Sequence, residues 1–296
     1  MPHTMPSFAR ARTVASALAV ATSFSFFAHA PTYALEDARE RESSNHLRQP
    51  PRSSDASRLR VDASTRTAWD DDWDGRAFEP PSTTTRVIWF VRHGQAIAEA
   101  LGVDDATRAL TPLGVAQASR SGARLRELLG NEEPKSITHS TMTRAKQTAD
   151  IIAEYFPSHV ARIGNELIRE GAPCRPEPDT WKQKPSSHVD EAPRIEAGFR
   201  SICHRATNEH EDSARGDERI QKDATLPSMT HEIVVCHGNV IRYSALRAMQ
   251  LPPDAWLRMS MYNASITRID IRPDGGVSLR CAGDAGHLPA NELTFN

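Results

Sequence analysis

Two histidines, two arginines and one glutamate stand where apolar runs of the chain end. Val87-Ile88-Trp89-Phe90-Val91 is rich in β-branched and aromatic residues, as a strand covered on both faces would be, and it stops at Arg92-His93-Gly94. Glu232-Ile233-Val234-Val235-Cys236 repeats the pattern and stops at His237-Gly238-Asn239. Arg144 follows a shorter strand, Ser136 to His139, in the first turn of the next helix. In an open α/β sheet, ligands bind in the crevice outside the carboxyl ends of the strands, so all four side chains would face one pocket. Two guanidinium forks suit phosphate oxygens, and an imidazole beside them can attack phosphorus. Glu170, followed by Gly171 in a Pro-punctuated loop, can protonate a leaving oxygen if the pocket raises its pKa. Each residue alone has a plainer reading: a polar strand end, a surface arginine, a carboxylate in an exposed salt bridge, a structural histidine. A second His-Gly at a second strand end makes accident a poor account of the first.

The intervening stretches supply the elements that position these groups. Thr111 caps a helix that has Pro112 at its first position and Ala118, Gly122, Leu125 and Leu129 on one face. A helix with Pro193 near its start carries Ile195, Phe199 and Ile202 on one face. Ala264 to Ile271 and Val277 to Cys281 read as two strands joined by the turn Pro273-Asp274-Gly275-Gly276. Asn263 and Ser265 would border the pocket, Trp181 would form a wall, and Gly94 would let the backbone turn sharply or approach a ligand closely. The polar residues from 207 to 230 read as an exposed excursion.

The 296 residues carry 36 Lys and Arg against 38 Asp and Glu, which leaves no basic field for nucleic acid, so an anion site has to be a local cluster. Cys174, Cys203, Cys236 and Cys281 form no Cys-x-x-Cys pair, which argues against a disulfide framework or a thiolate zinc site. Residues 1–35 hold Arg10 and Arg12, no acid, and an apolar run from Val14 to Ala30. That pattern fits a mitochondrial targeting segment or membrane anchor, and Ala28-His29-Ala30 keeps a secretory signal in competition. Residues 36–68 are polar and Pro-bearing, the composition of a disordered linker. Residues 69–83 open with Trp69-Asp70-Asp71-Asp72-Trp73-Asp74, which either packs on its own domain or docks on another copy.

The combination of Arg92-His93-Gly94, Thr111-Pro112-Leu113-Gly114, Ser140 through Thr148, Leu167 through Pro173 and His237-Gly238-Asn239 resembles the histidine phosphatase superfamily, in its mitochondrial serine/threonine protein phosphatase branch. The resemblance implies a phosphoglycerate mutase-like α/β fold, a three-layer α/β/α sandwich over 84–296, that works without metal or other cofactor. It implies a phosphohistidine intermediate on His93, phosphate clamping by Arg92, Arg144 and His237, proton transfer by Glu170, and a phosphoprotein substrate. Trp69, Asp70, Trp73 and Asp74 resemble a Trp-Asp-x-Asn-Trp-Asp assembly motif through which subunits form homo-oligomers, with Asp72 where that motif has Asn. A small-molecule phosphatase or phosphoglycerate mutase of the same superfamily is the runner-up. A membrane-tethered scaffold stands third.

Overall fold

The computed structural model describes residues 68–79, 82–98, 104–179, 187–207 and 228–295. The expected N-terminal targeting segment, the expected linker up to residue 67, Trp181 and most of the expected 207–230 excursion lie outside them.

The strand expected at Val87–Val91 extends in both directions, to Thr84–Arg92 (β1). Its side chains alternate between two apolar layers, as a central strand with period two requires. Val87, Trp89 and Val91 share one cluster with Leu125 and Leu129 of α1 (Pro112–Leu129) and with Ala145, Ala149 and Ile152 of α2 (Thr143–Ala153). Ile88 and Phe90 share the other with Ile195, Phe199 and Ile202 of α3 (Ser187–Ile202) and with Val240 and Ile241 of α4 (Gly238–Ala248). The chain is therefore the three-layer α/β/α sandwich that the resemblance implied. Thr111 caps α1 as expected, its hydroxyl accepting from the Gly114 N–H.

The sheet has six strands in the order β3 (Ala161–Asn165), β2 (Pro134–Ser140), β4 (Ser228–Cys236), β1, β5 (Ile266–Ile271), β6 (Val277–Asp284). β1, β2, β3 and β4 run parallel, while β5 and β6 are antiparallel additions at one edge. Register does the positioning. Arg92 lies opposite Cys236, so His93 and His237 emerge side by side, and His139 lies opposite Val235, so Ser140 ends its strand one residue short of that level.

Several boundaries differ from expectation: β2 and β6 run beyond the expected 136–139 and 277–281 to the bounds above. β3 was not foreseen because its only large apolar residue, Ile163, is exposed; it holds the edge through its ladder to β2. β4 begins at Ser228, four residues before its apolar core. The strand expected from Ala264 begins at Ile266, because Ala264 adopts a left-handed φ of 58° while its N–H donates to the His93 carbonyl.

The Trp-Asp segment closes on its own domain. Trp73 is buried, with its Nε1–H donating to the Gly275 carbonyl at 2.8 Å and its ring 6.0 Å from Phe199. Asp74 accepts the Arg205 backbone N–H at 2.7 Å and pairs with its guanidinium at 2.8 Å. Burial by itself would raise the Asp74 carboxyl, but the Arg205 hydrogen bonds and charge outweigh it and hold the group below its usual 3.8. The pair's stabilisation is thus complete at neutral pH and is lost only as pH falls through that lowered pKa. Asp74→Ala leaves a buried guanidinium without its carboxylate, which costs about 3 kcal/mol. A urea midpoint at pH 7 unchanged by the substitution would contradict this.

Candidate active site

His93 lies immediately beyond β1 and is buried. Its Nδ1 is 2.7 Å from the Gly94 carbonyl, a group that can only accept, so Nδ1 carries the proton and Nε2 keeps its lone pair. A second contact agrees with this tautomer, since Arg144 Nε donates to His93 Nε2 at 3.2 Å. Burial first, then the charges of Arg92 and Arg144, push the His93 pKa well below 6.5, so the imidazole is neutral at physiological pH. A neutral ring, oriented from behind through Nδ1 and presenting Nε2 beside a guanidinium, is a nucleophile aimed at an electrophilic anion.

A Cβ on Gly94 would lie 2.4 Å from the Gly114 carbonyl oxygen, and one on Gly114 would lie 2.0 Å from that of Gln95. Two bare backbones thus pack the strand end against the first turn of α1.

His237 ends β4 and caps α4, and its ring centroid is 5.1 Å from that of His93. Nε2 is 2.8 Å from the Ser140 hydroxyl, while Nδ1 has no hydrogen-bond partner among the described residues. An anion in the crevice would supply one. Burial, the His93 ring and the neighbouring arginines keep this imidazole neutral as well. α2 and α4 both begin at this edge, and the partial positive charge of their N-termini adds to an anion-binding field.

Arg92 donates through Nη1 to the Met261 carbonyl at 2.6 Å and through both Nη atoms to the Phe295 carbonyl. Burial lowers it to about 10, which leaves it charged at neutral pH. Arg144 donates to the Asp105 carbonyl at 2.8 Å and to its Oδ2 at 3.0 Å. Glu170 accepts the Gly171 N–H at 3.1 Å. Its pKa is raised above 4.5 because burial outweighs that hydrogen bond and the opposing charges of Arg92, Arg144 and Arg242. A carboxyl whose protonated form is favoured by burial can give a proton to a leaving oxygen.

Residues 88–283 match the model of the histidine phosphatase superfamily (branch 1). The chain belongs to that superfamily. The mitochondrial serine/threonine-protein phosphatase PGAM5 of Xenopus laevis is 44% identical over 211 residues, covering 71% of this chain and 69% of that protein. The human protein of the same name is 42% identical over 212 residues, covering 71% and 66%. A phosphoglycerate mutase structure from Plasmodium falciparum, 32% identical, covers 72% of this chain and 99% of its own with a TM-score of 0.46.

In this histidine phosphatase, His93, Arg144 and His237 come together as their strand ends foretold, with Arg92 and Glu170 coupled to them electrostatically. Asn263 borders the site through its Nδ2–H to the His93 carbonyl, and the Ser265 carbonyl accepts the Arg92 N–H. Ser140 was passed over, although it occupies the same strand-end position as the residues that were chosen. Asp105 was passed over too, and nothing in its sequence surroundings marks it. Its carboxylate stays ionised because Arg144 and Arg108 outweigh the effect of burial, so it competes with an incoming dianion for Arg144. Asp105→Ala is expected to tighten competitive inhibition by inorganic phosphate up to about fivefold, the ~1 kcal/mol of a half-exposed ion pair. Weaker inhibition would instead make Asp105 a support for the arginine.

Proposed function

We propose that this histidine phosphatase is a mitochondrial protein serine/threonine phosphatase that works through a phosphohistidine on His93. The observation that carries the chemistry is the His93 ring, tied through Nδ1 to the Gly94 carbonyl with Nε2 left beside Arg144. In the first step Nε2 attacks phosphorus, the bond from phosphorus to the seryl or threonyl oxygen breaks, and Glu170 gives that oxygen its proton. Arg92, Arg144 and His237 hold the equatorial oxygens as charge redistributes in the transition state. In the second step the Glu170 carboxylate takes a proton from water, the water oxygen bonds to phosphorus, and the P–N bond breaks to restore neutral His93.

Protein substrates and the mitochondrial setting are supported by the names of the 44% and 42% identical relatives. Among the described residues no helix is long and apolar enough to cross a membrane, and the apolar run 14–30, outside them, is the proposed anchor. The test is turnover of a phosphoseryl and phosphothreonyl peptide panel set against phosphoglycerates. Faster turnover of the phosphoglycerates would favour the small-molecule reading.

Homo-oligomer formation through the Trp-Asp segment belongs to the same proposal. Since Trp73 and Asp74 are engaged within their own domain, the contact falls to Trp69, 41% exposed, and to Asp70, whose backbone pairs with the Gln250 side chain. Trp69 borders a surface cavity of about 340 Å³ with Arg272 and Val277. Trp69→Ala is expected to lower the sedimentation coefficient of the assembled protein and leave the urea midpoint unchanged. An unaltered sedimentation profile would remove Trp69 from the contact.

A further inference from the structure

Glu170 sits in a loop with no sheet ladder to hold it, and the backbone carbonyls around it need partners from elsewhere. A single side chain supplies three. Arg194, on α3, donates through Nη1 to the Leu167 carbonyl at 3.0 Å and the Arg169 carbonyl at 2.8 Å, and through Nη2 to the Glu170 carbonyl at 3.1 Å. One turn earlier on the same helix, Glu191 Oε2 accepts the Ala172 N–H at 2.6 Å. The loop and helix lie so close that a Cβ on Gly171 would be 2.8 Å from both Arg194 Nη2 and the Glu191 carboxylate. A Cβ on Gly198 of α3 would be 2.9 Å from the Leu167 carbonyl oxygen. Asn239 of α4 completes the enclosure by donating to the Gly171 carbonyl at 3.2 Å. All these hydrogen bonds fall on the backbone of residues 167–172, so Arg194 meets the Glu170 carboxyl through charge alone.

We infer that Arg194 is a positioning residue for proton transfer: its guanidinium grips the backbone on both sides of Glu170 and fixes where that carboxyl stands relative to His93. The inference rests on the reading of Glu170 as the proton donor. A planar fork with two spread nitrogens can serve three carbonyls at once, whereas a lysine ammonium is a compact point charge on a flexible stem. The Glu191 contact and the bare Cα of Gly171 hold the same loop from the other side.

A displaced general acid harms only reactions that need one. Phenyl phosphate and a phosphoseryl peptide release basic oxygens that must be protonated, while 2,4-dinitrophenyl phosphate releases a stable anion. Arg194→Met is expected to lower kcat/KM by about 10- to 100-fold on the first two and by less than about threefold on the third. Arg194→Lys should recover only part of the loss. Gly171→Ala, which pushes a methyl group into the Arg194 and Glu191 contact, should give the same selectivity without touching Arg194, and it keeps the test open if Arg194→Met does not fold.

Glu170→Gln is measured beside them. If it shows the selectivity and Arg194→Met and Gly171→Ala lower all three substrates equally, or none, the positioning role is overturned and the proton donor stands. If Glu170→Gln is itself indifferent to the leaving group, the proton-donor reading fails and the inference falls with it.

Discussion

His93→Ala is expected to lower kcat/KM by about four orders of magnitude or more on every phosphomonoester the protein accepts, whatever its leaving group. Removing the imidazole removes the atom that would bond to phosphorus, and Arg92 and Arg144, as cations, cannot replace it. The same substitution is expected to abolish the acid-labile, base-stable phosphate that mild quenching traps on the wild-type chain. Inorganic phosphate should still bind, because the guanidiniums and the N-termini of α2 and α4 remain. The fold should survive as well, since what is lost locally is one donor to the Gly94 carbonyl and the acceptor of Arg144 Nε, each a cost of about 1–3 kcal/mol. His237→Ala makes a useful contrast: an anion-holding residue is expected to cost about 10²- to 10³-fold and to leave a trappable phosphohistidine. Trapped phosphate on the His93→Ala chain would place the nucleophile elsewhere.

The part of this architecture that was legible in the sequence is the part where burial forces a pattern. β1 and β4 lie in the middle of the sheet with apolar layers on both sides, so residues 87–91 and 233–236 run apolar and the polar residues that follow stand out. The helices α1 and α3 announce themselves through one apolar stripe each, and Thr111 and Pro112 mark the start of the first. β3 left no such trace, because an edge strand is held by backbone hydrogen bonds that any residue can make. Site residues followed the same division. His93, Arg144 and His237 could be found from their position after a strand, whereas Asp105 and Arg194 act across the fold on groups distant in sequence, and only coordinates bring them into contact. The Trp-Asp segment left two readings open, packing on its own domain or docking on another copy, and Trp73, buried beside Phe199, follows the first.

Glu170→Gln is expected to flatten the alkaline side of the pH profile for substrates with basic leaving groups, at a level about 10²- to 10⁴-fold below the wild-type maximum. The signs follow from two shifted groups. His93 has to be unprotonated to attack, and burial with its two arginine neighbours places its pKa well below 6.5, so the rising limb lies further to the acid side than an ordinary histidine would put it. Glu170 has to be protonated to donate, and burial raises its pKa above 4.5 against the pull of three arginines, so activity falls as pH climbs through that raised value. A bound phosphate dianion is a further like charge near the carboxyl and carries the falling limb of kcat to higher pH than that of kcat/KM. Glutamine cannot lose the proton in question, so the falling limb should vanish, while the rising limb, which belongs to His93, should persist. One of the three arginines offers an independent check. Arg242, on α4, lowers the Glu170 pKa through its charge, and its Nη1 donates to Asn239 Oδ1 at 3.1 Å. Arg242→Met is therefore expected to move the falling limb to higher pH. A shift in the opposite direction would mean that the group titrating there gains its proton with Arg242's help, which a carboxyl cannot do.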